Sequence, residues 1–281
     1  MTAVLALAPS HKLVTHTGRA FFRLGMLVQD TTGRWLGLTA RHIMECEPEE
    51  GVYDASTSTL VGSRLATEPA VARHRAFSET IGAFIIDTSS ASINLADPLT
   101  LDMNVAQPRQ AIGRPVFKIE SNGLRVEAIA VGYGGSITLI RPDGEEAVYH
   151  GVLEISFDEH RRHAVAAGEG GSLVLDEHGA ALGLMIAGDG EACCVAPLLP
   201  FLEDHGFRVI DSASLLSREG EGDMGGDDGA STGGIADLST EYRSALNGAK
   251  ELRSELREEN ATPDPQDEPV PRRLLELLDV D

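Results

Sequence analysis

Ala167-Gly168-Glu169-Gly170-Gly171-Ser172-Leu173 runs straight into the apolar Val174 and Leu175. Glycine at three of four successive positions permits backbone with positive φ, so the stretch reads as a tight loop feeding a strand. Ala181–Gly188 supplies the strand after the loop. Working outward, Phe22–Val28 (F-R-L-G-M-L-V) alternates as a strand does, Asp30–Gly33 is a polar turn, and Trp35–Thr39 is a second strand ending in Thr39-Ala40-Arg41-His42. Thr80–Asp87 (T-I-G-A-F-I-I-D) reads as another apolar strand, and Gly113–Lys118 with Gly123–Val131 as a pair of short ones. Val195–Phe201 (V-A-P-L-L-P-F) closes the series ahead of a short helix.

Taken in order, these segments resemble the trypsin-like (chymotrypsin-fold) serine proteases, bacterial type. The loop resembles that family's G-D-S-G-G or G-D-S-G-S, Leu38 to His42 its L-T-A-x-H, and Thr80–Asp87 its D-I-A-L-x-x-x-D strand. The pair beginning G-R-P-V-F-K at Gly113 is similar to the G-x-x-V-x-K hairpin of bacterial members, and Val195–Phe201 to the closing segment. The resemblance spans about residues 15 to 210. It implies a mainly β fold of two six-stranded antiparallel barrels, over residues 1–210.

What the resemblance implies for the chemistry is a dismantled triad. Acyl transfer needs a serine oxygen, an imidazole to take its proton and an acid to fix the imidazole. His42 falls at the base. Gly170 falls at the nucleophile and has no side chain to attack with. The acid position holds Thr80 if Asp87 is aligned with the strand-end aspartate, or Ile81 if Ala83 is aligned with the family's alanine. Glu79 is adjacent, but a neighbour at an odd offset on a strand points to the other face. Ser172 is the fallback nucleophile; its preferred reading is a small residue packing the loop on the next strand. The family's oxyanion hole is built from main-chain N–H groups, here those of Gly168 and Gly170, so its geometry survives loss of the hydroxyl. The same glycines also serve simply to let a tight loop turn.

Composition bounds the setting. The 281 residues accommodate a two-barrel domain of about 200 residues plus an extension. A formal charge of −21 opposes binding to nucleic acid or an anionic membrane, both of which rely on Lys and Arg. The three cysteines, Cys46, Cys193 and Cys194, make no disulfide framework, one being odd and two adjacent, and this points to a reducing cytoplasm. The N-terminal M-T-A-V-L-A-L-A-P-S lacks the basic start and apolar length of a signal peptide. No metal or cofactor signature is present: His160 and His163 share a possible helix face without a clear third ligand, and no phosphate loop or dinucleotide fingerprint occurs.

Beyond Val209 the character changes. Residues 211–281 carry 18 acidic against 7 basic side chains. Residues 211–234 are rich in Gly, Asp, Glu and Ser, as expected of a flexible linker. Over 235–260 an apolar stripe returns at helical spacing: Ile235, Leu238, Tyr242, Leu246, Ala249, Leu252 and Leu256. Residues 261–281 are an acidic, proline-containing spacer and a short terminal helix after Pro271, bearing Leu274, Leu275, Leu277 and Leu278. The helical extension either folds back on its own barrels or docks on a partner. Two functions follow as expectations. The first is a catalytically inactive pseudoprotease that works by protein or peptide contacts, with Leu246, Leu252, Leu256 and the terminal leucines as docking residues. The second is a weak or conditional serine endopeptidase using Ser172 with His42.

Overall fold

The computed structural model describes residues 5–15, 21–44, 51–65, 80–89, 91–94, 97, 99–120, 123–140, 146–158, 168–188 and 192–210. The chain divides into two units, Met1–Ser231 and Thr232–Asp281, and every described residue lies in the first. The linker and both tail helices expected from sequence, with their leucines, therefore fall outside the described residues, as do Glu79, Cys46, His160 and His163.

Alternating and fully apolar runs become strands, as their period requires. In chain order these are β1 (Leu5–Leu7), β2 (Lys12–Thr15), β3 (Phe21–Arg23), β4 (Met26–Gln29), β5 (Trp35–Ala40), β6 (Gly51–Asp54), β7 (Leu60–Leu65), β8 (Ile81–Ile86) and β9 (Ala91–Ile93). The second half contributes β10 (Pro115–Ile119), β11 (Arg125–Ile140), β12 (Glu146–Ser156), β13 (Leu173–Asp176), β14 (Ala181–Gly188), β15 (Ala192–Pro197) and β16 (Arg208–Val209). Two α-helices are described: α1, the single turn Arg41–Met44 directly after β5, and α2, Leu198–His205. A 3-10 helix covers Pro108–Ala111.

The second barrel is closed and six-stranded, in the order β10-β11-β12-β15-β14-β13. The first differs from the expected six strands. It is an eight-stranded sheet ordered β16-β4-β5-β8-β7-β6-β2-β3, because β16 returns from the end of the domain to extend it beside β4. Leu24 and Gly25 carry the chain from edge strand β3 into β4, splitting the single Phe22–Val28 strand expected from sequence. Gly25 N–H donates to the Leu38 carbonyl at 2.8 Å, which curls the sheet on itself. β1 and β9 add a short parallel pair.

Two apolar cores result. Inside the closed barrel, Val116, Val126, Ala128, Leu153, Ile155, Val174, Leu182 and Val195 pack together. Between the halves, Met26, Leu36, Leu38 and Ile81 meet Leu173, Leu175, Leu184, Ile186 and Phe201. β13 and β14 serve both, since alternate side chains point to opposite faces: Val174 and Leu182 inward, Leu175 and Leu184 toward the first sheet. The glycine loop before β13 is thereby held at the junction of the two halves.

Candidate functional site

Three backbone ties fix that loop. Arg23 N–H donates to the Gly170 carbonyl (2.8 Å), Gly171 N–H to the Met185 carbonyl (2.7 Å), and Met185 N–H to the Ser172 carbonyl (2.9 Å). Thr39, from β5, donates its hydroxyl to the Arg23 carbonyl at 2.8 Å. Gly171 lies at φ +90°, and a Cβ there would fall on Thr39 Oγ1 and the Arg23 carbonyl oxygen. Only glycine fits both the dihedral and the close approach. Gly168, at φ +89°, faces the Phe21 side chain.

Glu169 is the electrostatic centre. Its Oε1 lies 2.6 Å from Arg23 Nη2, across the junction in β3, and its Oε2 lies 2.6 Å from Lys118 Nζ on β10. Lys118 is completely buried, and this ion pair is its ammonium's polar contact among the described residues. Burial alone would raise the Glu169 pKa, but hydrogen bonds from Arg23 and Lys118, with their charges, hold it below the usual glutamate range. One carboxylate thus joins a cation from each half of the domain.

Ser172 is fully buried beneath this cluster. Its hydroxyl donates to the Glu169 carbonyl oxygen (2.7 Å) and lies 3.2 Å from Glu169 Oε2. The proton that a general base would have to remove is held by Glu169, within the loop itself. The packing reading of Ser172 is the one this arrangement favours.

His42 sits in α1, half-buried, where the strand-to-helix step after Ala40 puts it. β5 and β8 pair with Ala40 opposite Ile81 and Thr39 opposite Gly82. Arg41 N–H donates to the Thr80 carbonyl at 3.0 Å. Thr80 and Ile81 are both buried beside the start of α1, and neither offers a carboxylate. At Gly170 a Cβ would point into Ile43 Cδ1, with Ala40 Cβ beyond it. The terminal methyl of Ile43 reaches into the space a side chain at this position would take.

The structure brings together the base position, both candidate acid positions and the glycine loop at one junction. Sequence reading missed Arg23, Lys118 and Ile43. A signal existed for Lys118: it is a lysine flanked by apolar residues in a strand whose alternation turns it inward with Val116. Arg23 and Ile43 carried none, because what they touch is distant in sequence. Among the described residues no group of three His, Cys, Asp or Glu is placed to hold a metal. No helix of the described residues is long and apolar enough to cross a membrane.

No protein-family profile matches the chain, and no curated protein matches it in sequence. Solved structures do. Thermobifida fusca Protease A superposes with a TM-score of 0.50 at 15% identity, covering 73% of this chain and 98% of that one. A Nocardiopsis protease gives a TM-score of 0.50 at 15% identity over 74% and 100% of the two chains. A glutamic acid specific serine protease gives 0.50 at 16% over 72% and 100%. These likenesses show that the chain has the trypsin-like, chymotrypsin-type double β-barrel fold.

Proposed function

We propose that the chain is a pseudoprotease, a protease-like scaffold that no longer performs acyl transfer and acts through protein or peptide contacts. The observation that carries this reading is the state of the fallback nucleophile: Ser172 is fully buried and its hydroxyl is spent on Glu169. Gly170 offers no side chain, and the tip of Ile43 reaches into the space one would take. The glycine loop is retained as a clasp, with the main chain of Gly168 and Gly170 as its remaining anion-facing element. In this reading the protein is cytoplasmic, in keeping with cysteine usage: among the described residues, neither Cys193 nor Cys194 is in a disulfide. The leucine-bearing tail of residues 235–281 is its partner-docking element.

A fluorophosphonate probe tests the catalytic half of the proposal. The full chain is expected to show no labelling at Ser172, whereas labelling there that vanishes in His42→Ala would establish the endopeptidase instead. For the tail, truncation at Ser217 is expected to remove partners recovered by the full chain while leaving the barrels folded; an unchanged set of partners would refute the docking role.

A further inference from the structure

A second concave site lies on the closed barrel, built from residues that the candidate site does not use. Between the 3-10 helix and the β13–β14 turn is a cavity of about 300 Å³, lined by Gln107, Gln110, Arg114, Asp176, Glu177 and Leu182 among others. Its charges do not balance. Arg114 Nη1 is already paired with Glu177 Oε1 at 2.8 Å. Asp176 Oδ1 accepts the main-chain N–H groups of His178 (2.9 Å) and Ala180 (2.8 Å), and Asp176 has no cationic partner among the described residues. Two carboxylates therefore face one guanidinium and the exposed His178 imidazole, whose Nε2 lies 3.7 Å from Glu177 Oε1, with the carboxamides of Gln107 and Gln110 beside them.

An exposed apolar strip shares a wall with this cavity. Ile129 and Val131 point outward from β11 and are 47% and 50% exposed, while Ala128 and Ala130 between and before them are buried in the barrel. Ile112 follows the 3-10 helix and is 45% exposed. Bonds from Gly113 N–H to the Ala130 carbonyl (2.7 Å) and from Ala130 N–H to the Arg114 carbonyl (3.1 Å) lay it alongside them. Pro115, opposite Ile129 in the strand register, also lines the cavity. A closed barrel has no free edge here, so what this surface offers a partner is side-chain chemistry. Branched aliphatic side chains clustered beside a concave, negatively charged hollow are the layout of an anchor site with an apolar shoulder.

We propose that this surface docks a protein segment that inserts one lysine or arginine side chain into the cavity and lays neighbouring apolar side chains on Ile112, Ile129 and Val131. The cavity's volume suits a single long side chain, and its unbalanced carboxylate calls for a cation. The chain's net charge of −21 attracts a basic segment and repels a second copy of itself.

The test is an amide NMR titration of the full, isotope-labelled chain with acetyl-Leu-Lys-Leu-amide, alongside the same peptide with norleucine or glutamate in place of lysine. Saturable shifts are expected at Gln107–Arg114 and Asp176–His178, about tenfold weaker with norleucine and absent with glutamate. Glu177→Gln is expected to weaken lysine-peptide binding by about tenfold, and Ile129→Ser with Val131→Ser to weaken the lysine and norleucine peptides alike. Those side chains are partly exposed, so the fold should survive all three changes. Absence of saturable shifts there, equal binding of the lysine and norleucine peptides, or variants that bind like the parent would each overturn the proposal. So would self-association of the free chain that the serine substitutions abolish, since the surface would then belong to a second copy.

Discussion

Lys118 shows what a single buried side chain demands of its surroundings. It is completely enclosed and rests on Glu169, so Glu169→Gln leaves an ammonium in an apolar barrel without its counter-charge. That change should destabilise the fold by about 3–5 kcal/mol, because breaking a buried pair costs far more than the pair contributes. Glu169→Gln combined with Lys118→Met should recover much of the loss, and urea unfolding of the two variants measures the difference. Gly170→Ser tests the neighbouring position. Its Cβ meets only the terminal Cδ1 of half-buried Ile43, which can turn aside, so the variant should lose no more than about 1 kcal/mol to overpacking. It should also stay unlabelled by a fluorophosphonate, since Thr80 and Ile81 supply no acid to orient His42. Labelling of the introduced hydroxyl in that variant would show the relay to be intact but for one atom.

At the level of elements, the glycine loop separates what local sequence can encode from what it cannot. Its glycines and the apolar run after it are local, and they mark the loop; they do not show that the run itself forms β13, ahead of the expected strand Ala181–Gly188. The reason for each glycine is not local: Gly171 is demanded by Thr39 and Arg23, well over a hundred residues upstream. Gly171→Ala should therefore cost upward of about 3 kcal/mol, combining an unfavourable φ with a backbone collision. Gly113→Ala, at φ +76° with nothing within 4 Å of the added methyl, should cost only about 1–2 kcal/mol. Thermal unfolding of the two variants separates dihedral strain from crowding; equal losses would mean that the junction yields. The strand errors have a similar origin. Phe22–Val28 reads as one strand because its apolar residues continue through Leu24-Gly25, yet the Gly25 bond to Leu38 folds that segment across to a different neighbour. β11 outruns its expected end at Val131, continuing to Ile140 through bulges that hold it to β12 beyond the barrel.

For the whole molecule, the ionisable groups divide its pH response into two legs. Asp30 is raised by burial but lowered further by Thr32 and Arg34, to about 2. Asp54, ringed by Thr57, Ser56 and His11, and Glu169, held by Arg23 and Lys118, are likewise depressed despite burial. A depressed acid contributes stability that is present above its ordinary value, 3.8 or 4.5 here, and is lost as pH falls through the folded value. Asp97, raised by burial, runs the other way and offsets part of that loss near its ordinary 3.8. His205 acts earlier. Burial lowers it from 6.5, Asp204 opposes this while Arg41 adds to it, and its ring packs against Phe201 and Phe207 at centroid distances of 4.5 and 5.2 Å in a three-ring cluster. Because the folded state resists protonating it, its contribution is intact above 6.5 and declines as pH falls below that value. Urea midpoints of the full chain should therefore be level near neutrality, decline gently below 6.5, and fall steeply below the carboxylate range. His205→Phe keeps the aromatic stack and removes the titrating nitrogen. It should flatten the first leg and leave the steep acid leg in place. Parallel curves for the two proteins would assign the gentle decline to other groups, and loss of the acid leg in Glu169→Gln but not in His205→Phe would tie that leg to the clasp between the halves.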